Sequence, residues 1–306
     1  MIFPILRRGL AFTLLVVLVP GATLAAEPNN GKQPTVTFLY GDRSSTEGIE
    51  ELKRAWGMTT VTRIGGKTIM FNTGADDVAL KNNMKVLGIG ATDIDIIVLS
   101  HRHWEMWQST GMIIEQNPDV VVYAPSDLMP AIKSKHPGWL KQIKTLDEET
   151  LEILSGVLLL KTHSKPRRGG PTGVEELHLI LKTDQGIAIG QGCGHTGIFA
   201  IAQRASKLTG QRPYLIYGGT RLTNTPTKVS RPGFENGFTV PPARHATPEY
   251  VQKLADDLRG FGVRKLVATH CTGSKSETIL KKKFGDVFIT QTLGMTITLP
   301  PLQTRK

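Results

Sequence analysis

The sequence predicts an α/β protein in which helices cover two sheets or one mixed sheet. Three observations carry that expectation. Short apolar runs alternate with amphipathic stretches along the chain, two pairs of runs are joined by tight Gly-containing turns, and one run, IDIIVLS at 94–100, is almost wholly apolar, as in a strand buried on both faces. The 40% of hydrophobic residues supplies ample material for a large core, and 306 residues are compatible with one large domain.

In chain order, residues 27–33 (EPNNGKQ) read as a loose terminus. TVTFLY (35–40), MTTVTRI (58–64) and KTIMFN (67–72) are strand-like, and Gly65-Gly66 joins the last two as a hairpin. Residues 75–87 predict a helix with Ala79, Leu80 and Met84 on one face, stopped by Gly88. The strand at 94–100 is followed by a strand DVVVYA (119–124) and by a helix over 127–135 ended by Pro137. ELHLILKT (176–183) and GIAIG (186–190) flank Asp184-Gln185-Gly186, a second hairpin signal. A helix over 198–208, a strand YLIYGG (214–219), a helix over 248–259 and a strand KLVATH (265–270) come next. A helix over 274–284 and a strand MTITL (295–299) complete the reading. The Pro- and Gly-rich stretch 222–242 predicts a long connection, either a functional lid or a disordered segment.

The first 26 residues have the three-part layout of a secretory signal peptide. Arg7 and Arg8 precede an apolar core from Leu10 to Val19, then Pro20 and small residues up to Ala26. The alternative is an uncleaved anchor, since the apolar stretch approaches the ~20 residues a membrane span needs; Pro20 and the small residues favour cleavage. The expectation is a signal peptide at 1–26, a single domain at 27–306, no stable membrane span after cleavage, and a periplasmic or secreted protein. The 37 Lys+Arg against 26 Asp+Glu give +11, and losing the two arginines of the leader leaves +9. That balance favours an anionic partner, with dispersed surface charge as the plainer explanation. There is no dense basic run with interleaved aromatics, so no nucleic-acid partner is expected.

Four of the eight histidines sit where predicted strands end. His101 and His103 follow IDIIVLS, His195 follows GIAIG through Gly192-Cys193-Gly194, and His270 ends KLVATH. Strand ends of α/β sheets gather ligand sites, and three imidazoles can hold zinc while leaving a position for water. An H-x-H pair taken alone is more often a pair of surface histidines. Among the others, His178 alternates with Leu177, Leu179 and Leu181 and is expected to face solvent. His136 and His163 read as surface residues, and His245 fits either environment.

Matching pieces run along nearly the whole mature chain: AWGMT (55–59), IMFNTG (69–74), KVLGI (85–89), IDIIVLSHRH (94–103), GQGCGHTGI (190–198), YGGTRL (217–222) and ATHCTG (268–273). On these the chain resembles the metallo-β-lactamase fold, and within it the branch of metal-dependent hydrolases grouped with the dihydropterin ribofuranosylaminobenzene 5′-phosphate synthases. The resemblance implies a four-layer αβ/βα sandwich with metals at one edge of two sheets. It also implies that His101, His103 and His195 hold a first metal ion. A second site would use His270 and the loop positions occupied here by Glu105, where the family has aspartate, and Met106, where it has histidine. Arg221 stands at another histidine position, and Asn72 replaces the aspartate of a DTG motif.

These departures predict one tightly bound zinc, or another divalent ion, and a weak second site. Glu105 is either a displaced ligand, a general base, or a residue that orients a ligand histidine. Met106 is apolar filler or a soft ligand. Cys193 and Cys271 are tolerated core residues, a disulfide pair, or, for Cys271, an accessory thiolate ligand. Arg221 holds a substrate anion or makes a surface salt bridge. The expected activity is metal-dependent hydrolysis of a small ester, lactone or phosphoester, anionic in character. A non-catalytic metal- or ligand-binding descendant and a pterin-precursor-type transferase are the alternatives, and export argues against the transferase.

Overall fold

A computed structural model describes residues 33–42, 49–166, 173–224, 226–231, 234–243 and 245–302. The expected signal peptide lies outside the described residues. The strands are β1 (Thr35–Gly41), β2 (Met58–Ile64), β3 (Lys67–Phe71), β4 (Ile96–Val98), β5 (Val121–Tyr123), β6 (Ile143–Lys144), β7 (Thr150–Leu154), β8 (Val157–His163), β9 (Glu175–Thr183), β10 (Gly186–Gln191), β11 (Pro213–Gly219), β12 (Thr227–Arg231), β13 (Phe234–Val240), β14 (Lys265–Thr269) and β15 (Thr296–Thr298). The helices are α1 (Asp77–Val86), α2 (Thr110–Gln116), α3 (Met129–Lys135), α4 (Ile198–Thr209), α5 (Pro248–Gly260) and α6 (Ser274–Phe284).

Two sheets carry the molecule. The first runs β15-β1-β2-β3-β4-β5-β6 and the second β14-β11-β10-β9-β8-β7. Period-2 alternation divides their side chains between two faces. Leu177, Leu179 and Leu181 of β9 meet Phe38, Ile69 and Phe71 of the first sheet in a core between the sheets. The opposite face of the first sheet packs on Leu80, Met84, Ile113 and Ile132 of α1, α2 and α3. That of the second packs on Ile201, Ala205, Leu254 and Leu280 of α4, α5 and α6. The order helix, sheet, sheet, helix is the predicted αβ/βα sandwich. The helix ends follow their local chemistry: Asp76 caps α1 by accepting from the amides of Val78 and Ala79, and Thr247 caps α5.

Both predicted hairpins form, as β2–β3 and β9–β10, each antiparallel. Three corrections follow. His178 does not face solvent: it is fully buried, with Nε2 2.9 Å from Thr162 Oγ1. Alternation did place it opposite Leu177 and Leu179, but that face of β9 lies in the layer covered by the second set of helices. The stretch 222–242 is not a bare connection, since β12 and β13 pair within it as an antiparallel ribbon. Finally, β6, β7, β8 and α2 are additional to the predicted elements. No helix among the described residues is long and apolar enough to cross a membrane.

Strands β3 to β6 are parallel, as are β10, β11 and β14. Loops leaving the ends of such strands gather along one edge of each sheet.

Candidate metal centre

Five loops bring side chains to that edge. Asp42 follows β1, His101 and His103 follow β4, His195 follows β10, Arg221 follows β11 and His270 follows β14. Two glycines let the loops approach. A Cβ on Gly192 would lie 2.1 Å from Ser100 Oγ and 2.9 Å from His101 Nδ1, so a side chain there would push the β10 loop off the first histidine. Gly57, at φ +120°, would place a Cβ 2.3 Å from the Glu105 carbonyl oxygen. Asn72, itself left-handed at φ 61°, accepts the Ser100 amide at 2.8 Å through Oδ1. The asparagine thereby keeps an acceptor at the end of β4, while its buried Nδ2 has no partner.

His101, His103 and His195 converge. Their ring centroids are 4.5, 4.7 and 4.8 Å apart, all edge to face. With Cys193, their donor atoms all lie within 4.8 Å of one another. His101 is fully buried, with Nδ1 2.9 Å from Ser100 Oγ, whereas its buried Nε2 has no hydrogen-bond partner. Burial first, and then His103, His195, His270 and Arg221, hold its pKa well below 6.5. Burial likewise lowers that of His103, against the opposing pull of Glu105. Imidazoles kept neutral, with a bare buried nitrogen among them, are the donor set of a divalent ion such as zinc. The residues fit a metal.

A residue not anticipated from the sequence holds this half together. Glu176, fully buried on β9, accepts the amides of Cys193 at 2.7 Å and Gly194 at 2.9 Å through Oε1, and that of His195 at 2.7 Å through Oε2. The same Oε1 lies 4.0 Å from His101 Nδ1. One carboxylate thus fastens the GCGH loop and stands behind the first imidazole.

The other half is built from opposite charges. His270 Nδ1 is 2.7 Å from Asp42 Oδ1, and its Nε2 is 3.7 Å from Glu105 Oε1. Burial lowers the His270 pKa, but Asp42 and Glu105 outweigh it and lift the pKa well above 6.5. Burial raises the Glu105 carboxyl, but His270 and His103 hold it below its ordinary value. Glu105 is also 3.6 Å from His103 Nδ1. Its carboxylate therefore lies between the two halves. A second donor group, Cys193, His270 and Cys271, has its atoms within 4.8 Å of one another. Among the described residues Glu105 belongs to neither donor group. Both cysteines are free. Contact with Cys271 and burial raise the Cys193 thiol, whereas Cys193, His270 and Arg221 outweigh burial at Cys271 and bring it down to about 7. Met106 is fully buried in the core between the sheets, in the role of apolar filler. Trp56 lies over His270, with ring centroids 4.6 Å apart.

The site opens into a cleft of about 1270 Å³, whose walls include Trp56, Trp104, Lys165, Thr196 and Arg221. Arg102, also in the wall, is committed to Asp127 and to the Gly173 carbonyl oxygen. Asp42 and Glu176 are the site residues that the sequence reading missed. For Glu176 the sequence offered only an acid at the foot of an alternating strand, in VEELHL. Asp42 is 228 positions from its partner, and only the topology reveals it.

No family model matches the chain. It is 23% identical over 259 residues to 7,8-dihydropterin-6-methyl-4-(beta-D-ribofuranosyl)-aminobenzene-5′-phosphate synthase of Methanocaldococcus jannaschii, covering 72% of this chain and 81% of that one. Among solved structures, it is similar to a metal-dependent hydrolase of the beta-lactamase superfamily at a TM-score of 0.64 and 19% identity, over 87% of this chain and 99% of that one. Zn(2+)-bound PqqB from Methylobacterium extorquens matches at a TM-score of 0.56 and 11% identity, over 87% and 100%. A diphosphatase from the PhnP family matches at 0.54 and 13%, over 88% and 99%. With two helix-flanked sheets and a histidine cluster at their shared edge, the chain has the metallo-β-lactamase fold of these proteins.

Proposed function

We propose that the protein is an exported, metal-dependent hydrolase of a small anionic ester, lactone or phosphoester, and that it works with one tightly held divalent ion, zinc. The observation that carries this reading is the buried, partnerless Nε2 of His101 among the imidazoles of His103 and His195. Those three histidines would hold the ion. When bound, it would polarise a carbonyl or phosphoryl oxygen and lower the pKa of a water toward ~7.

The rest of the chemistry belongs to the chain. Glu105 remains a carboxylate between the two halves of the site and takes the proton of the attacking water. His270 retains its proton between Asp42 and Glu105, which fixes Glu105 and keeps a second negative charge from standing unpaired. Arg221 supplies the positive group for a substrate anion. Trp56 and Trp104 offer apolar walls, and the net positive charge favours approach of an anion. The phosphate-handling names of two of the similar proteins support a phosphoester as the first substrate class to test.

Metal analysis of protein purified from its native compartment should find about one zinc per chain. A screen of esters, lactones and phosphodiesters should reveal a turnover that a chelator removes and zinc restores. Two equally tight ions would overturn the single-ion reading. One ion without turnover of any class would leave a metal-binding protein rather than an enzyme.

A further inference from the structure

The chain has only two cysteines, 78 positions apart, and the fold places both in the wall of the cleft. Cys193 belongs to the GCGH loop after β10, and Cys271 to the turn after β14. The Cys271 thiol donates to the Cys193 carbonyl oxygen at 3.7 Å. The two sulfurs and a nitrogen of His270 lie within 4.8 Å of one another. Gly219 makes room for this meeting. A Cβ there would sit 3.0 Å from Cys271 Sγ, 3.3 Å from the Cys193 Cα and 2.3 Å from the Gly192 carbonyl oxygen, so a side chain would force the loops apart.

Both loops are anchored where the cysteines meet. The Cys193 amide donates to Glu176 at 2.7 Å. The Cys271 carbonyl oxygen accepts the Thr223 amide at 3.0 Å and the Thr223 hydroxyl at 2.8 Å, and its sulfur accepts the Arg221 amide at 3.1 Å. The two thiols differ in access. Cys193 is buried, at 3% exposure, whereas Cys271 is partly exposed. A small reagent entering the cleft therefore meets Cys271 first, with Cys193 as the adjacent second thiol.

We propose that Cys193 and Cys271 are a disulfide-forming pair, oxidised by exchange with the disulfide of a small thiol, as an oxidising compartment supplies. Cys271 loses its proton to water, and its sulfur attacks one sulfur of the oxidant. The S–S bond of the oxidant breaks, a mixed disulfide forms on Cys271, and one small thiolate leaves. Cys193 then loses its proton, and its sulfur attacks Cys271 Sγ and releases the second thiolate. The two thiolates take up the two protons, so the oxidant is reduced by the two electrons that the cysteine pair gives up. The bond would join the loop of His195 to that of His270. Cys193 is also the one sulfur in the donor group of His101, His103 and His195. On the reading of those histidines as metal ligands, oxidation removes a fourth donor and keeps a coordination position open for water.

The test uses the full mature chain, reduced, treated with chelator and then exposed to oxidised glutathione. After denaturation and alkylation, mass spectrometry should find both cysteines alkylated before oxidation and neither after it, without glutathione adducts or dimers. A non-reducing digest should link the Cys193 peptide to the Cys271 peptide. By closing a loop of this length, the bond should lower the unfolding equilibrium constant by on the order of 10³-fold. The urea midpoint of the wild type should therefore rise on oxidation, while those of Cys193→Ser and Cys271→Ser should not. A persistent glutathione adduct on Cys271, disulfide-linked dimers, or two thiols still open to alkylation would overturn the pair. Zinc is then added to the oxidised chain. Retention of one equivalent supports the open three-histidine set. A chain that forms the bond but binds no zinc would sustain the disulfide and overturn the three-histidine reading of the metal centre.

Discussion

The two halves of the site solve opposite electrostatic problems. His101, His103 and His195 form a cluster of imidazoles whose most buried member carries a nitrogen with no hydrogen-bond partner. That half leaves one buried ring nitrogen without a partner. Around His270 the requirement is already met: a protonated imidazole stands between the carboxylates of Asp42 and Glu105. On the proposed reading, a metal ion would complete the first half. In the second it would displace a proton already held by two acids. Glu105, with His270 and Asp42, therefore belongs to a half that neutralises itself.

The strongest way to break that contrast is to remove one imidazole from each half. His103→Ala should cost more than 100-fold in zinc affinity and abolish activity, with little change in stability, because its side chain is 40% exposed. His270→Ala should leave about one zinc per chain and instead destabilise the fold by about 3 kcal/mol, since Asp42 and Glu105 lose their shared cation in a largely buried place. Zinc titration and urea unfolding of both variants check this. Equal loss of zinc from the two would erase the distinction. Glu176→Gln should come next, with zinc affinity down about 10- to 100-fold, because the amide cannot accept from all three loop N–H groups that position His195. Met106→His tests the second half directly. With the position enclosed in the apolar core, the imidazole should cost about 1–3 kcal/mol and recruit no second equivalent of zinc. A second tight equivalent would show that one missing ligand alone had weakened that half.

The sequence made the first half more legible than the second, for a physical reason. His101, His103 and His195 each follow a short apolar run, so their placement at strand ends could be read locally, whereas in the second half only His270 could be placed in this way. The two sheets followed from alternation and turns in the same way. What escaped were groups whose meaning depends on another segment. Glu176 sits in an alternating strand, where a charged residue reads as solvent-facing, yet its carboxylate meets the amides of a loop from β10. Asp42 gains its role only when β1 and β14 end at the same edge. His178 was misread because a sheet face opposite the core was taken for solvent, when helices cover it. The ribbon β12–β13 was masked by the density of Pro and Gly around it.

His178 also provides the smallest and cleanest test, because it shares the electrostatics of the first half without facing the metal. Burial lowers its pKa, as it does those of His101 and His103, while the pKa of His270 is raised. The signs are opposite. For a lowered imidazole, the unfolded chain binds a proton near pH 6.5 that the folded chain refuses, so its stabilising contribution is full above 6.5 and declines as the pH falls toward the folded pKa. For His270, the contribution is full below 6.5 and is lost as the pH rises through its raised folded pKa. Between pH 6.5 and 5, the chelator-treated protein should lose stability, each fully buried imidazole adding up to about 1.4 kcal/mol per pH unit. His178→Leu should remove one such increment from the slope of urea-unfolding free energy against pH and leave zinc stoichiometry untouched. An unchanged slope would mean that His178 binds a proton in the folded state and donates its Nε2 N–H to the Thr162 hydroxyl oxygen, which lies 2.9 Å away.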